Sequence, residues 1–218
     1  MSTIRNISQT KSVNGGLLVA FEGTDGAGKS TQARNVVNRL ISAGFESVYL
    51  KEPTDGPIGR QLRQMMVSNH NRDYMEEFRL FLADRTEDVR QNIRPVLERG
   101  GIVCIDRYYI SSMAYQGALG LDPDFIKTEN EKIAPVPDLI LYFQISVEES
   151  LKRISASRPA GQNLFEIREY QEKVKEIFET LTFPQMVTLD ATLPHGKLTG
   201  EILNHINTKI SSKSSSPL

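Results

Sequence analysis

The sequence concentrates its chemistry in Phe21-Glu22-Gly23-Thr24-Asp25-Gly26-Ala27-Gly28-Lys29-Ser30-Thr31. Gly23 to Ser30 fits G-x-x-x-x-G-K-[ST], a loop that wraps the phosphates of a nucleotide. Its glycines let the backbone turn so that successive N–H groups converge on anionic oxygens. Lys29 is then placed to reach the terminal phosphates, and the Ser30 hydroxyl to bind Mg²⁺. The run Gly23–Thr31 therefore reads as a nucleoside-triphosphate site.

A second group lies in Ile102-Val103-Cys104-Ile105-Asp106-Arg107, an apolar run that ends in a carboxylate and a guanidinium. In a parallel α/β sheet, ligands gather at the C-terminal ends of the strands. Asp106 and Arg107 are thus expected to face the crevice that holds the glycine loop. There an aspartate orients Mg²⁺ or its waters, and an arginine holds a second phosphate with forked donors. A structural ion pair at a strand end is the other use of the same two residues.

The scaffold for these groups is written in short apolar runs that alternate with helical stretches. Leu17–Glu22, Ser47–Leu50, Ile102–Asp106, Leu139–Ile145 and Val187–Leu189 read as strands, most of them near-continuously hydrophobic, as strands covered on both faces are. Helical spacing fills Lys29–Ala43, Ile58–Val67, Met75–Arg99, Ser111–Ala118, Phe125–Ile133, Val147–Ala156, Phe165–Leu181 and Lys197–Ile210, with Pro95 kinking the third of these. The alternation specifies one doubly wound α/β domain over residues 15–210, a five-stranded parallel sheet with helices on both faces. Residues 1–14 and 211–218 are polar or serine-rich and read as flexible tails.

At 218 residues, with 39% hydrophobic and 24% charged, the chain has the composition of a soluble globular domain. A formal net charge of −1 argues against broad nucleic-acid or membrane binding. Cys104 is the only cysteine, so no disulfide framework or cysteine metal cluster is expected, and its apolar strand predicts a buried thiol. His70, His195 and His205 are isolated and read as surface or structural residues. No apolar run approaches the roughly 20 residues that span a bilayer. The N-terminal segment has no apolar signal core, so a cytoplasmic protein is expected.

Five segments, from about Leu17 to Leu193, resemble the thymidylate kinase family of nucleoside-monophosphate kinases. They are the glycine loop; Lys51-Glu52-Pro53; Leu80-Phe81-Leu82-Ala83-Asp84-Arg85; Asp106-Arg107-Tyr108 with Ala114-Tyr115-Gln116-Gly117; and Pro137-Asp138-Leu139. The resemblance implies the P-loop kinase fold and Mg²⁺-dependent transfer of the ATP γ-phosphoryl group to dTMP, giving dTDP for DNA precursor synthesis. It implies that Phe81 stacks on the thymine, Arg85 bonds its O4, and Arg107 and Lys51 serve the dTMP phosphate. Asp25 would lie near the 3′-hydroxyl, Tyr115 would pack against C2′ and disfavour a ribose, and Gln116 would line the base pocket. An aromatic face stacks on any base, so selectivity falls to Arg85 and Gln116. A wrong base would leave their buried donors unpaired, at about 1–3 kcal/mol. Singly, each residue has an ordinary use: Phe81 as core beside Phe78, Arg85 as a solvated charge, Tyr115 as packing. The family also implies a homodimer, with no nucleic-acid or membrane partner.

Negative charge developing on the transferred group calls for a cation beside Lys29 and Arg107. Members of the family supply it from within the loop or from a mobile lid; here Gly26 follows Asp25, so the lid is expected to act. Leu151 to Asn163 resembles that lid (about residues 153–164), with Arg158 beside Pro159 and Gly161 as first candidate and Arg153 as second. Two positions depart from the family. Leu164 stands where a basic residue is frequent, and Lys51 where many members have arginine, which keeps the charge and loses the fork. Thr188-Leu189-Asp190-Ala191 resembles the late strand and adenine-side loop. The alternatives are a kinase of another deoxynucleotide such as dUMP, or a non-catalytic nucleotide switch. Against the switch, no Asn-Lys-x-Asp occurs and a second phosphate site is present.

Overall fold

A computed structural model describes residues 10–68, 73–155 and 164–214. Five strands form one sheet: β1 (Leu17–Glu22), β2 (Ser47–Lys51), β3 (Ile102–Asp106), β4 (Leu139–Gln144) and β5 (Met186–Asp190). Their order is β2-β3-β1-β4-β5 and every pairing is parallel. This is the expected doubly wound arrangement, consistent with the P-loop kinase fold.

The connecting helices are α1 (Lys29–Ser42), α2 (Pro57–Ser68), α3 (Tyr74–Asp88), α4 (Arg94–Glu98), α5 (Tyr109–Gly117), α6 (Pro123–Glu131), α7 (Val147–Ser155), α8 (Leu164–Thr180) and α9 (His195–Ser214). Local chemistry starts several of them. Asp73 caps α3 by accepting from the Met75 and Glu76 N–H groups. Asp122 caps α6, with Pro123 in its first turn.

Pleating sends alternate strand residues into two separate cores. Leu17, Val19, Phe21, Ile102 and Cys104 pack with Val36 and Leu40 of α1 and Ile202 of α9. Leu18, Ala20, Val103 and Ile105 pack on the other face with Phe78 of α3, Met113 of α5 and Phe178 of α8. A strand buried on both sides has no polar alternation to show, which is why these segments read as continuous apolar runs. Cys104 is fully buried, and burial pushes its thiol up to about 12.

The helix expected through Met75–Arg99 is interrupted. Val89–Ile93 is a π-helical turn, closed by the Arg94 N–H reaching back to the Val89 carbonyl, before α4 resumes. Pro95 explains it: its ring would clash with a carbonyl one α-turn back, and the widened turn relieves that. The ends also differ from the free tails expected at 1–14 and 211–218. The Lys11 N–H donates to the Gly44 carbonyl and the Val13 side chain is buried. At the other end α9 runs to Ser214, and Lys213 Nζ donates to the Gly16 carbonyl at 2.8 Å and pairs with Asp138 at 2.7 Å. These partners are distant in sequence, so composition does not announce them.

Candidate active site

The glycine loop joins β1 to α1. Gly28 caps the helix in left-handed backbone (φ 90°), no side chain bonds the first turn, and that turn holds no acidic residue. Its N–H groups are therefore left for an anion. Gly26 has φ +77°, and a Cβ there would lie 2.7 Å from the Ser150 carbonyl oxygen of α7. The loop thus has no space after Asp25 for an arginine. Ser150 Oγ donates to the Asp25 carbonyl, fixing α7 to the loop. Lys29 Nζ donates to the Thr24 carbonyl at 2.7 Å. Burial pushes its ammonium down to about 7, and Arg107 adds to the fall. Thr24 Oγ1 is buried without a hydrogen-bond partner among the described residues.

Asp106 shares the face of Ile102 and Cys104, so it looks toward α1. It accepts from Ser30 Oγ and from the Tyr49 hydroxyl at 3.1 Å. Lys51, in register with Asp106 at the end of β2, is exposed. Glu22 lies on the opposite face with Leu18 and Ala20, and accepts from the Tyr108 N–H at 2.9 Å and from Ser111 Oγ, which anchors the start of α5. Burial pushes this carboxyl up to about 7.

Arg107 has φ 69°, the only non-glycine residue in left-handed backbone among those described. That conformation costs about 1–2 kcal/mol and persists where the surroundings over-determine it. The turn aims the guanidinium across the crevice. It donates to Asp25 at 2.6 Å, to the Tyr115 hydroxyl at 2.9 Å and to Ser111 Oγ at 3.2 Å, with the Gly23 carbonyl at 3.4 Å. Burial opposes its charge, but Tyr115, Asp25 and Asp106 together hold its pKa above the ordinary value.

Near Arg107 lie buried polar groups that have no hydrogen-bond partner among the described residues. Gln116 is 1% exposed, and neither its Nε2 nor its Oε1 has a partner among the described residues. Gln171 of α8, 4% exposed, has an Oε1 without a partner among the described residues. Tyr115 stands edge-on to Tyr170 (6.1 Å) and Phe178 (6.4 Å). Phe78 takes the core position of α3, leaving Phe81 half-buried and outside both cores. Arg85 is no solvated charge. It is 1% exposed, with Nε and Nη2 donating to Glu52 Oε2 at 2.8 and 2.5 Å, Nη2 to Ser112 Oγ at 3.2 Å, and Nη1 to Asn130. A guanidinium has five N–H groups, so one Nη1 hydrogen remains for a ligand rather than a fork. Burial pushes Glu52 up to about 8 against the pull of Arg85.

The family model for thymidylate kinase matches residues 21–202. The chain belongs to the thymidylate kinase family. It is 47% identical over 178 residues to a thymidylate kinase from Desulfotalea psychrophila, covering 82% of this chain and 88% of that protein. A thymidylate kinase from Xanthomonas campestris pv. campestris (strain B100) is 44% identical over 178 residues, 82% of this chain and 77% of its own. The probable thymidylate kinase of Archaeoglobus fulgidus is 37% identical over 201 residues, 92% of this chain and 100% of that protein.

In this thymidylate kinase family member a pocket of about 310 Å³ opens between the glycine loop and the segment linking β5 to α9. Arg153 lines it from α7, with Nη1 on the Ala191 carbonyl at 3.2 Å and Nε on Glu149 at 3.3 Å. Arg153 therefore stands on the β5 side of the loop. The first lid candidate, Arg158, lies outside the described residues, as do residues 156–163 of the expected lid and the side chain of Leu164. His195, read as an isolated residue, is in the pocket wall. Its signal in the sequence was its place just after the adenine-side segment, whereas Gln171 had no local signal: its burial comes from packing against α5. Among the described residues no cluster of three or more His, Cys, Asp or Glu could hold a metal.

Proposed function

We propose that this chain transfers the γ-phosphoryl group of ATP to dTMP, giving ADP and dTDP. One observation carries the reading: the strained backbone of Arg107 sets its guanidinium between Asp25 of the glycine loop and the Tyr115 hydroxyl. A second phosphate there lies against the first. The names of the relatives support the same acceptor.

Loop N–H groups and Lys29 hold the ATP phosphates, while Arg107 exchanges its hold on Asp25 and Tyr115 for the acceptor phosphate. An oxygen of that phosphate, already ionised, attacks the γ-phosphorus, the bond to the β-phosphate oxygen breaks, and ADP leaves. No strong general base is needed, and catalysis consists of positioning and charge stabilisation. Gln116 offers a donor and an acceptor to the base edge, and Phe81 offers its ring face. Tyr115 stands where a ribose 2′-hydroxyl would crowd it. Because Gly26 leaves the loop no room for arginine, Arg158 in the lid supplies the further cation and Arg153 serves the nucleotide side.

Ser30 Oγ and the Asp106 carboxylate fit Mg²⁺, which prefers oxygen ligands and keeps much of its shell as water and substrate phosphate. When bound, it would neutralise charge between the β- and γ-phosphates. The reading includes a cytoplasmic homodimer, with exposed Met66 and Val67 of α2 and Tyr74 of α3 as contact candidates. No described helix is long and apolar enough to cross a membrane.

The test is ADP production from Mg²⁺-ATP with dTMP, dUMP, dCMP, dGMP, dAMP, UMP and CMP. The reading expects dTMP to dominate. A dominant dUMP signal would change the acceptor and keep the chemistry, and no stimulation by any acceptor would leave a nucleotide-binding protein.

A further inference from the structure

We propose that His195 recognises the base in the nucleotide pocket, donating its Nε2–H to a ring-nitrogen acceptor of the purine. Gln32 holds the imidazole in the tautomer that this requires. The inference rests on the reading that ATP occupies this pocket.

The argument begins with a backbone carbonyl. Gln32 Nε2 lies 3.1 Å from the His195 carbonyl oxygen and 3.1 Å from His195 Nδ1. A carbonyl only accepts, so the Gln32 atom facing it is the NH₂ group, whatever the imidazole does. Flipping the amide would set two acceptor oxygens against each other. The Thr199 hydroxyl lies 2.7 Å from Gln32 Oε1 and 2.8 Å from the His195 carbonyl, so its single proton serves either oxygen and the carbonyl alone sets the amide. Both supporting side chains are buried, Gln32 at 1% and Thr199 at 9% exposure, so water does not substitute for these bonds. An NH₂ group presented to Nδ1 donates to it, which leaves Nδ1 bare and puts the ring proton on Nε2. The described residues give Nε2 no partner, and His195 is exposed in the pocket wall.

The rest of that wall decides what Nε2–H meets. Ala191, Leu193 and Leu198 make it apolar, and Arg153 adds a flat guanidinium. The loop N–H groups of Gly26 to Gly28 take phosphate at the other part of the same pocket. A largely aliphatic wall with a fixed imidazole donor suits a heteroaromatic ring that carries unprotonated nitrogens. Gln32 sits in the first turn of α1, two residues after Ser30, so one helix carries both the phosphate residues and the device that sets the tautomer.

The experiment uses His195→Phe, which keeps a ring and loses the donor, and compares binding of Mg²⁺-ATP with Mg²⁺-tripolyphosphate by calorimetry. Tripolyphosphate has the phosphates and no base. The expected result is a weakening of ATP binding by about 2- to 10-fold, the effect of one hydrogen bond, with tripolyphosphate unchanged. ATP, but not tripolyphosphate, should also shift the His195 imidazole proton resonance of the unmodified protein. Unchanged ATP affinity would overturn the inference. So would an equal loss for both ligands, which would make His195 a support for the loop through Gln32. An unmodified protein that bound neither ligand would instead overturn the nucleotide-site reading, and this inference with it.

Discussion

Replacing Arg107 by lysine isolates the forked guanidinium from the charge. Both side chains carry the same charge and face the same left-handed backbone, so the strain at φ 69° cancels in the comparison. Arginine offers two parallel donors to a phosphate, whereas lysine offers a point charge. Losing one hydrogen bond to a charged group costs about 1.5–3 kcal/mol. At about 1.4 kcal/mol per tenfold, kcat/KM for dTMP should fall by roughly 10- to 150-fold. A coupled ADP assay at saturating ATP with varied dTMP reads this directly, and calorimetry without dTMP should find ATP affinity within about twofold of the parent. Backbone strain has its own control: Arg107→Gly should be more stable than Arg107→Ala by about 1 kcal/mol, since only glycine adopts this φ freely. Either a dTMP efficiency within threefold of the parent, or an equal loss of ATP affinity, would refute the placement of Arg107 at the acceptor phosphate.

Other perturbations test neighbouring parts of the site. Gly26→Ala drives a Cβ to 2.7 Å from the Ser150 carbonyl in left-handed backbone, so denaturant unfolding should show a loss of more than about 2 kcal/mol, with ATP binding weakened; an unaltered midpoint would refute the packing of α7 on the loop. Gln116→Leu removes a buried amide that has no partner, so the free protein should gain about 1 kcal/mol while the KM for dTMP rises. A less stable variant with normal KM would mean that the amide serves the fold instead. Lys29 has a pKa pushed down to about 7 by burial, and bound phosphates raise it again. The complex then holds more protons than the free protein, so near pH 8 ATP binding takes up roughly one proton and affinity falls as pH rises. Calorimetric heats that do not vary between buffers of different ionisation enthalpy would contradict this.

β1, β3 and β4 were legible because each is buried on both faces, and burial of that kind is written directly as hydrophobicity. The glycine loop was legible because its geometry tolerates few residue types: Gly26 faces the Ser150 carbonyl and Gly28 caps α1 in left-handed backbone. Arg85 was legible as a position and not as an environment. Its partners Glu52, Ser112 and Asn130 come from three other segments, and nothing local marks it as a buried hub. Pro95 announced a disturbance of the helix, but the choice between a kink and a widened turn depended on the core contacts of Val89 and Ile93. Histidine 195 shows the same limit from the other side. A lone histidine has no spacing to read, and its role appears only once Gln32 and Thr199 are brought beside it by α1 and α9.

The strand order also sets a timetable for synthesis. Leu17 of the central strand pairs with Ile102, and Val19 with Leu139, so β1 waits about 80 residues for its first sheet partner, β3, and longer for its second, β4. At about 5–20 residues per second, the wait for β4 is on the order of ten seconds, during which an apolar strand depends on chaperones or on its own helix for cover. The acceptor side, built largely from β3, α3 and α5, is translated first. The wall from Ala191 through His195 and Leu198 follows β5 in the chain. ATP therefore cannot template the acceptor side, because its own pocket is completed only after β4 and β5 have been made.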